Sequence, residues 1–398
     1  MAANTVATSP VMAMAPTAAA VNTSSLGITA LSQRSTPEQK LLSALDTFMQ
    51  GDVESAMSTV RSLVDEKPNF RLAHLVHGDM LASLAGEPLS LSAESGIPRD
   101  AVDGFIAEAR QRVKRAGFEP GSRLPSALLQ FSPEQEYGIV VDLSRSRLYL
   151  FGNDNGQPRL VNDYYVSGGK RGAGKEVKGD KKTPIGVYFV TSRLPGEKLP
   201  DRYGAMAFPV DYPNDWDLRR GRTGDGIWLH GVTAATYSRP PLDSDGCVAM
   251  SNDDLSSIAD LLEAGVTPVV ISESLDWVSP EEVQTRRNSL EQALEQWRAD
   301  WQSGDTERYL AHYAADFTGR GMTRDGWVNY KRQVNENKQF IRITMSDVSM
   351  FEYPNVDDMA VVTFDQRYES DRFVSNSRKR QYWQLKQGRW RIVSESAI

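Results

Sequence analysis

Near Tyr137 the apolar residues of this chain stop recurring at helical spacing and begin to alternate; from residue 281 the helical spacing returns, then gives way to a last long alternation. A hydrophobic period that changes this way cannot be buried in one kind of layer. It predicts a multidomain α+β protein: a helical N-terminal part, a mostly β middle, and a C-terminal block of helices followed by a strand meander. A chain of 398 residues is long enough for several such cores.

Residues 1–35 hold no acidic residue and a single base, Arg34. Met12 to Ala20 resembles the end of an export signal without a positive n-region or strong apolar core, so the segment reads as a low-complexity tail or an atypical signal. Residues 36–118 read as helical. Thr36-Pro37-Glu38-Gln39 is a helix start, and Leu41, Leu42, Leu45 and Phe48 follow at helical spacing. Gly51-Asp52 and Pro68-Asn69 interrupt the period, and stripes through Ala56, Val60, Leu63 and Ala73, Val76, Met80, Leu84 resume it. The punctuation resembles tetratricopeptide-type repeats; a helical hairpin packed on its neighbour or on another subunit is the plainer reading. His74 and His77 lie on these helices without partners at ligand spacing and read as structural.

Residues 119–136 form a connector, and 137–275 a β domain. There Ile139–Leu143 and Leu148–Phe151 predict a hairpin, Val187–Val190 and Val266–Ile271 further strands, and Asn252 a cap for a helix over Asp253–Glu263. In 281–398, Leu290, Leu294, Trp297 and Trp301 mark a helix, Tyr309–Tyr313 the beginning of a second, and strands are expected at Ile341–Met345, Met359–Gln366, Lys379–Lys386 and Trp390–Ser394. His312 reads as structural.

Net charge is −7, from 45 basic and 52 acidic residues, which argues against nucleic acid as a partner because there is no basic excess to displace counterions. No apolar run reaches the ~18 residues of a spanning helix. Cys247 is the single cysteine, so no internal disulfide can form. Its thiol is a buried small apolar group, a metal ligand or a nucleophile. The surroundings favour the nucleophile. Gly246 precedes it and would let the backbone turn tightly. His230 lies seventeen residues upstream, the one histidine of the β domain, and could take the thiol proton. Backbone N–H groups of Asp245, Gly246 and Cys247 could face an oxyanion. No Asp or Asn stands out as a third member; the Gly231 carbonyl could orient the ring.

His230-Gly231 followed by Ser244-Asp245-Gly246-Cys247 resembles the signature of the L,D-transpeptidase (YkuD-type) catalytic domain. Thr183-Pro184-Ile185-Gly186-Val187-Tyr188 and Gly226-Ile227-Trp228-Leu229-His230-Gly231 are similar to two further stretches of that family, in the same order. The resemblance implies a β-sandwich domain acting on peptidoglycan stem peptides in the cell envelope or periplasm, without metal or cofactor. Cys247 would attack the carbonyl of the third residue and expel the fourth, D-Ala. An amine acceptor then gives a 3-3 crosslink or attaches a protein to the wall; water gives L,D-carboxypeptidase trimming or release of a wall-linked protein. Many members carry Arg two residues after the cysteine, where this chain has Ala249.

Ser244, Tyr237, Arg222, Lys182 and Thr183 are the residues expected to contact substrate. The loop from Lys170 to Lys182 holds six bases and two acids and reads as a basic lip for acidic stems or as a solvated loop. The C-terminal aromatics and meander resemble a nuclear-transport-factor-2-like (NTF2-like, SnoaL-like) α+β cone, a module that holds substrate or a partner. The three-part layout resembles cell-shape-determining L,D-carboxypeptidases of helical bacteria. Stem peptides are the expected partner, with a wall-linked protein, wall machinery or a second copy of the chain as others the helical and cone regions could engage. A non-catalytic wall-binding scaffold is the reading of another class.

Overall fold

The computed structural model describes residues 36–86 and 98–398; the expected tail or signal lies outside the described residues. Helix α1 (Pro37–Met49) opens on a reciprocal cap, the Thr36 hydroxyl accepting from the Gln39 N–H and the Gln39 side chain from the Thr36 N–H. It is followed by α2 (Val53–Glu66), capped by Asp52, then α3 (Arg71–Leu84) and α4 (Arg99–Ala116). The stripes seen in the sequence meet in one core of Leu41, Ala44, Ala56, Val60, Leu63, Phe70, Ala73, Val76 and Met80, and Tyr237 from the β domain inserts among them.

The stretch expected as a bare connector carries β1 (Leu124–Pro125) and β2 (Leu128–Gln130). Then come β3 (Tyr137–Asp142), β4 (Arg147–Asp154), β5 (Gln157–Gly169), β6 (Gly186–Phe189), β7 (Leu194–Pro195) and β8 (Met206–Pro209). A short helix α5 (Asp215–Arg219) leads to β9 (Trp228–His230), β10 (Leu242–Ser244), β11 (Val248–Met250), α6 (Asn252–Ile258), β12 (Pro268–Ser272) and β13 (Trp277–Val278). Among the described residues β3 to β12 form one ten-stranded sheet in the order β6-β12-β3-β4-β5-β11-β9-β8-β7, with β10 also on β5. The 13-residue β5 joins its halves, pairing with β4 along its first part and with β11 near its end. One core holds both halves, with Ile139, Leu148, Val269 and Ile271 from one side and Phe208, Leu229, Val248 and Met250 from the other.

The C-terminal domain begins with α7 (Pro280–Gln302), capped by Ser279, and α8 (Thr306–Leu310). Tyr313, expected in the opening turn of a helix, starts β14 (Tyr313–Gly319) instead, and β15 (Met322–Thr323) leads into α9 (Arg324–Asn335), a helix not expected from the sequence. Strands β16 (Ile341–Glu352), β17 (Met359–Ser370), β18 (Val374–Lys386) and β19 (Arg389–Ala397) run well past their expected ends. Strand β2 pairs with β16 at the edge of this sheet. A second shared core, including Phe131, Tyr149, Phe151 and Val270 on one side and Phe351, Val361, Tyr382 and Val393 on the other, packs the two sheets together.

Candidate active site

His230 ends β9, and Cys247 stands just before β11. The strands are parallel neighbours, with Leu229 beside Val248 and His230 beside Ala249. Alternation sends Leu229, Val248 and Met250 into the core and leaves His230 and Ala249 on the opposite face. Ala207 of β8 pairs with His230 and Ser167 of β5 with Ala249, so small residues flank the imidazole.

The His230 Nδ1 is 2.5 Å from the carbonyl oxygen of Gly231. A carbonyl only accepts, so Nδ1 carries the proton and Nε2 keeps its lone pair. Tyr203 meets the ring edge-on at 5.1 Å and also packs on Trp228 at 4.7 Å. Burial pushes the imidazole down to about 4, helped by the charges of Arg239 and Arg202 and opposed by the Gly231 carbonyl. The half-buried Cys247 thiol donates to the Gly226 carbonyl at 3.4 Å. Burial raises its pKa and Asp245 adds to that, while the Trp228 N–H and the guanidinia of Arg239 and Arg202 favour the thiolate. The resting pair is therefore a neutral thiol and a neutral imidazole.

Two glycines make the geometry. Gly246 sits at φ 128°, and a Cβ there would come within 2.8 Å of the Lys182 carbonyl oxygen. At Gly231 a Cβ would lie 2.0 Å from Asn252 Oδ1. Asn252 does not cap its helix, because extended Ser251 does so one residue earlier, accepting from the Asp254 N–H. Asn252 instead accepts from the N–H groups of Ala205 (2.9 Å) and Val232 (3.2 Å) and donates to the Val232 carbonyl (2.8 Å), tying the segment just after His230 to the start of the neighbouring strand β8.

The segment between His230 and Cys247 is held by the helices. The Tyr237 N–H donates to the Asn69 carbonyl (3.0 Å), Asn69 Nδ2 donates to the Ala234 carbonyl (3.1 Å), and the Ser238 hydroxyl donates to Glu108 (2.6 Å). Gly104 of α4 abuts Pro240, whose carbonyl accepts from Ser167 at 2.6 Å. Beneath lies a buried ion network in which Arg112 bonds both Glu108 and Glu38, and Arg147 also bonds Glu38.

Several residues nominated from sequence serve the framework rather than the cleft. Ser244 is buried, donating to the Cys247 carbonyl at 2.6 Å and accepting from the Gly246 N–H at 3.1 Å. That N–H is therefore already used and is not free for an oxyanion, a correction to its expected role. Tyr237 is buried against Phe70, ring centroids 4.5 Å apart, and does not line the cleft. Arg222 is tied to buried Asp217 at 2.8 Å. Thr183 is fully buried, its hydroxyl accepting from the Gly169 N–H at 2.8 Å. Lys182 is half-buried, and its backbone carbonyl lies against the turn at Gly246. Within the basic loop, Asp180 collects Lys175 and the N–H groups of Glu176, Val177 and Lys182, which makes it a built turn. Arg202, Arg239, Tyr203 and Asn252 were missed; the one available signal was that Arg239 falls between the two motif residues.

In the cone, buried Lys331 lies 4.4 Å and 4.5 Å from the rings of Trp301 and Trp327, and burial lowers its amine to about 7. Glu395 is held there by Lys379, Gln381 and Tyr313. His312 bonds Asp300 at 2.8 Å, an acid its sequence spacing did not point to.

A family model for the L,D-transpeptidase catalytic domain matches residues 136–271, and one for the Cds6 C-terminal NTF2-like domain matches residues 289–396. The solved structure of Bd1075 from Bdellovibrio bacteriovorus is 32% identical, covers 69% of this chain and 98% of its own, and superposes with a TM-score of 0.61. The helical cell shape determining protein Pgp2 from Campylobacter jejuni shares the fold, at 24% identity and a TM-score of 0.60 over 70% of this chain and 96% of its own. Among curated proteins, trigger factors of Bordetella pertussis and Bordetella parapertussis match at 24% identity over 176 residues; the match spans 40% of this chain and 40% of each of theirs.

Proposed function

Because this chain belongs to the L,D-transpeptidase (YkuD-type) family, whose members act on peptidoglycan stem peptides, and ends in a Cds6-type NTF2-like domain, we propose that Cys247 and His230 form and resolve a thioester with a tetrapeptide stem. The observation that carries this reading is the bond from His230 Nδ1 to the Gly231 carbonyl, which leaves Nε2 as a base on the strand beside the thiol. As Sγ bonds to the carbonyl carbon of the third residue, its proton passes to Nε2. The amides of Asp245 and Cys247 meet the oxyanion, and the Gly246 N–H holds the turn that presents them. The imidazolium then returns its proton to the D-Ala nitrogen as the C–N bond breaks. An amine, or water, next attacks the thioester and gives its proton to Nε2, and the thiol is restored.

Transfer to an amine, making a 3-3 crosslink or a wall-attached protein, is the first reading. Hydrolysis is a second, favoured by one position. Ala249 is 1% exposed where many relatives carry Arg, beside Ser167, whose hydroxyl binds the Pro240 carbonyl. With no cation there to hold a second peptide, water is the acceptor that needs least from the site. The substrate places the protein in the cell envelope, and the cone serves as a holding module for wall material or a partner. Incubating the protein with disaccharide-tetrapeptide and weighing the products decides among these. A dimer lacking one D-Ala supports transfer, and tripeptide alone supports hydrolysis. Absence of turnover, with Cys247→Ala binding walls as well as the parent, would leave only a scaffold.

A further inference from the structure

Two arginines beside the thiol and imidazole have no carboxylate partner among the described residues. Arg147, Arg193, Arg219 and Arg222 each meet a carboxylate, whereas Arg202 and Arg239 meet none among the described residues. The nearby acids are engaged elsewhere: Asp243 and Asp245 face Lys170, and Asp201 accepts from the Thr233 hydroxyl and the Ala234 N–H. Both guanidinia are nevertheless fixed in place. Arg239 donates to the Arg202 carbonyl at 2.7 Å and toward the Asp243 carbonyl at 3.5 Å. Arg202 lies over the Tyr203 ring at 4.8 Å and donates to its hydroxyl at 3.0 Å, and Tyr203 is the residue packed edge-on against His230. A guanidinium has five N–H donors in a rigid fork, so most of each stays free. Arg202 is thus one aromatic ring away from the imidazole, and Arg239 is tied both to Arg202 and to the Asp243 carbonyl four residues before Cys247, so the pair borders the reacting centre.

We propose that Arg239, with Arg202 beside it, is the subsite for the free C-terminal carboxylate of the acyl donor, and so restricts the enzyme to stems whose scissile bond is the last one. This rests on the acyl-enzyme reading above. The leaving D-Ala carries its carboxylate one residue from the carbonyl that Cys247 attacks, so that anion must lie next to the thiol. Charge-assisted pairing with an arginine fork is the interaction that selects a carboxylate over a neutral amide. A longer stem, with an amide at that place, would leave the two guanidinia unpaired as the site closes.

The test compares a disaccharide-tetrapeptide ending in a free carboxylate with the same compound ending in a carboxamide, on the full-length protein. The parent protein should favour the acid by roughly 30- to 100-fold in kcat/KM. Arg239→Gln should bring the acid-to-amide ratio close to one, and Arg239→Lys should restore part of it. Equal use of acid and amide by the parent, or a ratio unchanged in Arg239→Gln, overturns the proposal. Calorimetric binding of both compounds to Cys247→Ala separates this from failure of the chemistry. If the parent turns over neither compound, tighter binding of the acid still supports the subsite, and equal binding overturns it.

Discussion

Ser238 donates a 2.6 Å hydrogen bond to Glu108, tying the segment between the histidine and cysteine motifs to a helix 130 residues earlier in the chain. Glu108 is buried; burial raises its carboxyl, and Arg112 and Ser238 counter this. Through this contact the helical region holds the residue next to Arg239.

Replacing Ser238 with Ala should therefore cost about 1–2 kcal/mol in stability, since it leaves a lone pair of a buried carboxylate unmet. It should also lower kcat/KM more than kcat, because it loosens the segment that carries Arg239. Thermal unfolding together with steady-state kinetics checks both, and an unchanged KM would argue that Asn69 and the Ser167–Pro240 bond hold the segment without it.

Cys247→Ala and His230→Gln should each abolish thioester formation, a loss of at least ~1000-fold. Mass spectrometry of the protein after exposure to a carbapenem reads this directly. The parent should gain the full mass of one carbapenem on Cys247, because the β-lactam C–N bond opens without losing a fragment, and neither variant should.

The pH profile follows from the environment of His230. Burial, then Arg239 and Arg202, hold the free imidazole near 4, so kcat/KM should fall only as the pH drops toward that value. The raised thiol pKa extends the plateau on the alkaline side. A bound carboxylate would offset the two guanidinia and make the imidazole more basic. The acid limb of kcat should consequently lie at higher pH than that of kcat/KM, and the reverse order would contradict the mechanism.

Glu38 is an acid-sensitive clasp. Burial opposes its charge, but Arg112 and Arg147 outweigh it and hold the carboxyl at about 2, below the ordinary 4.5. Since the folded pKa is depressed, this contribution is complete above pH 4.5 and drains away as the pH falls toward 2. Glu38→Gln should destabilise the helical region by on the order of 3 kcal/mol at neutral pH. The melting temperature should then vary less with pH in that acid range than in the parent.

Asn252→Ala should impair catalysis although Asn252 is not placed to touch substrate. It removes three hydrogen bonds that join the Val232 backbone, two residues after His230, to Ala205 at the start of the neighbouring strand. Asn252→Asp, which keeps Oδ1 as acceptor, should retain more of kcat than Asn252→Ala; equal losses would speak against the bracing role.

Local signals sufficed where neighbours in sequence are neighbours in space. The Thr36 cap, the helical stripes, the β3–β4 hairpin and the His230-Gly231 and Gly246-Cys247 pairs were all legible, because each depends on bonds spanning a few residues. The multidomain α+β layout and family resemblance followed from the same patterns. The contacts of Tyr237 with Phe70, Asn252 with Ala205, Arg239 with Arg202 and Glu108 with Ser238 were not legible, because these partners lie tens of residues away and chain spacing says nothing about which groups meet. Sequence alone determined which chemical groups are present and which short motifs hold them. Only the tertiary structure decided which polar groups are already satisfied and which stay free for a ligand. A hydrogen bond is used up by whichever partner folding brings within about 3 Å, and for Arg222, Ser244 and Thr183 that partner is the protein itself.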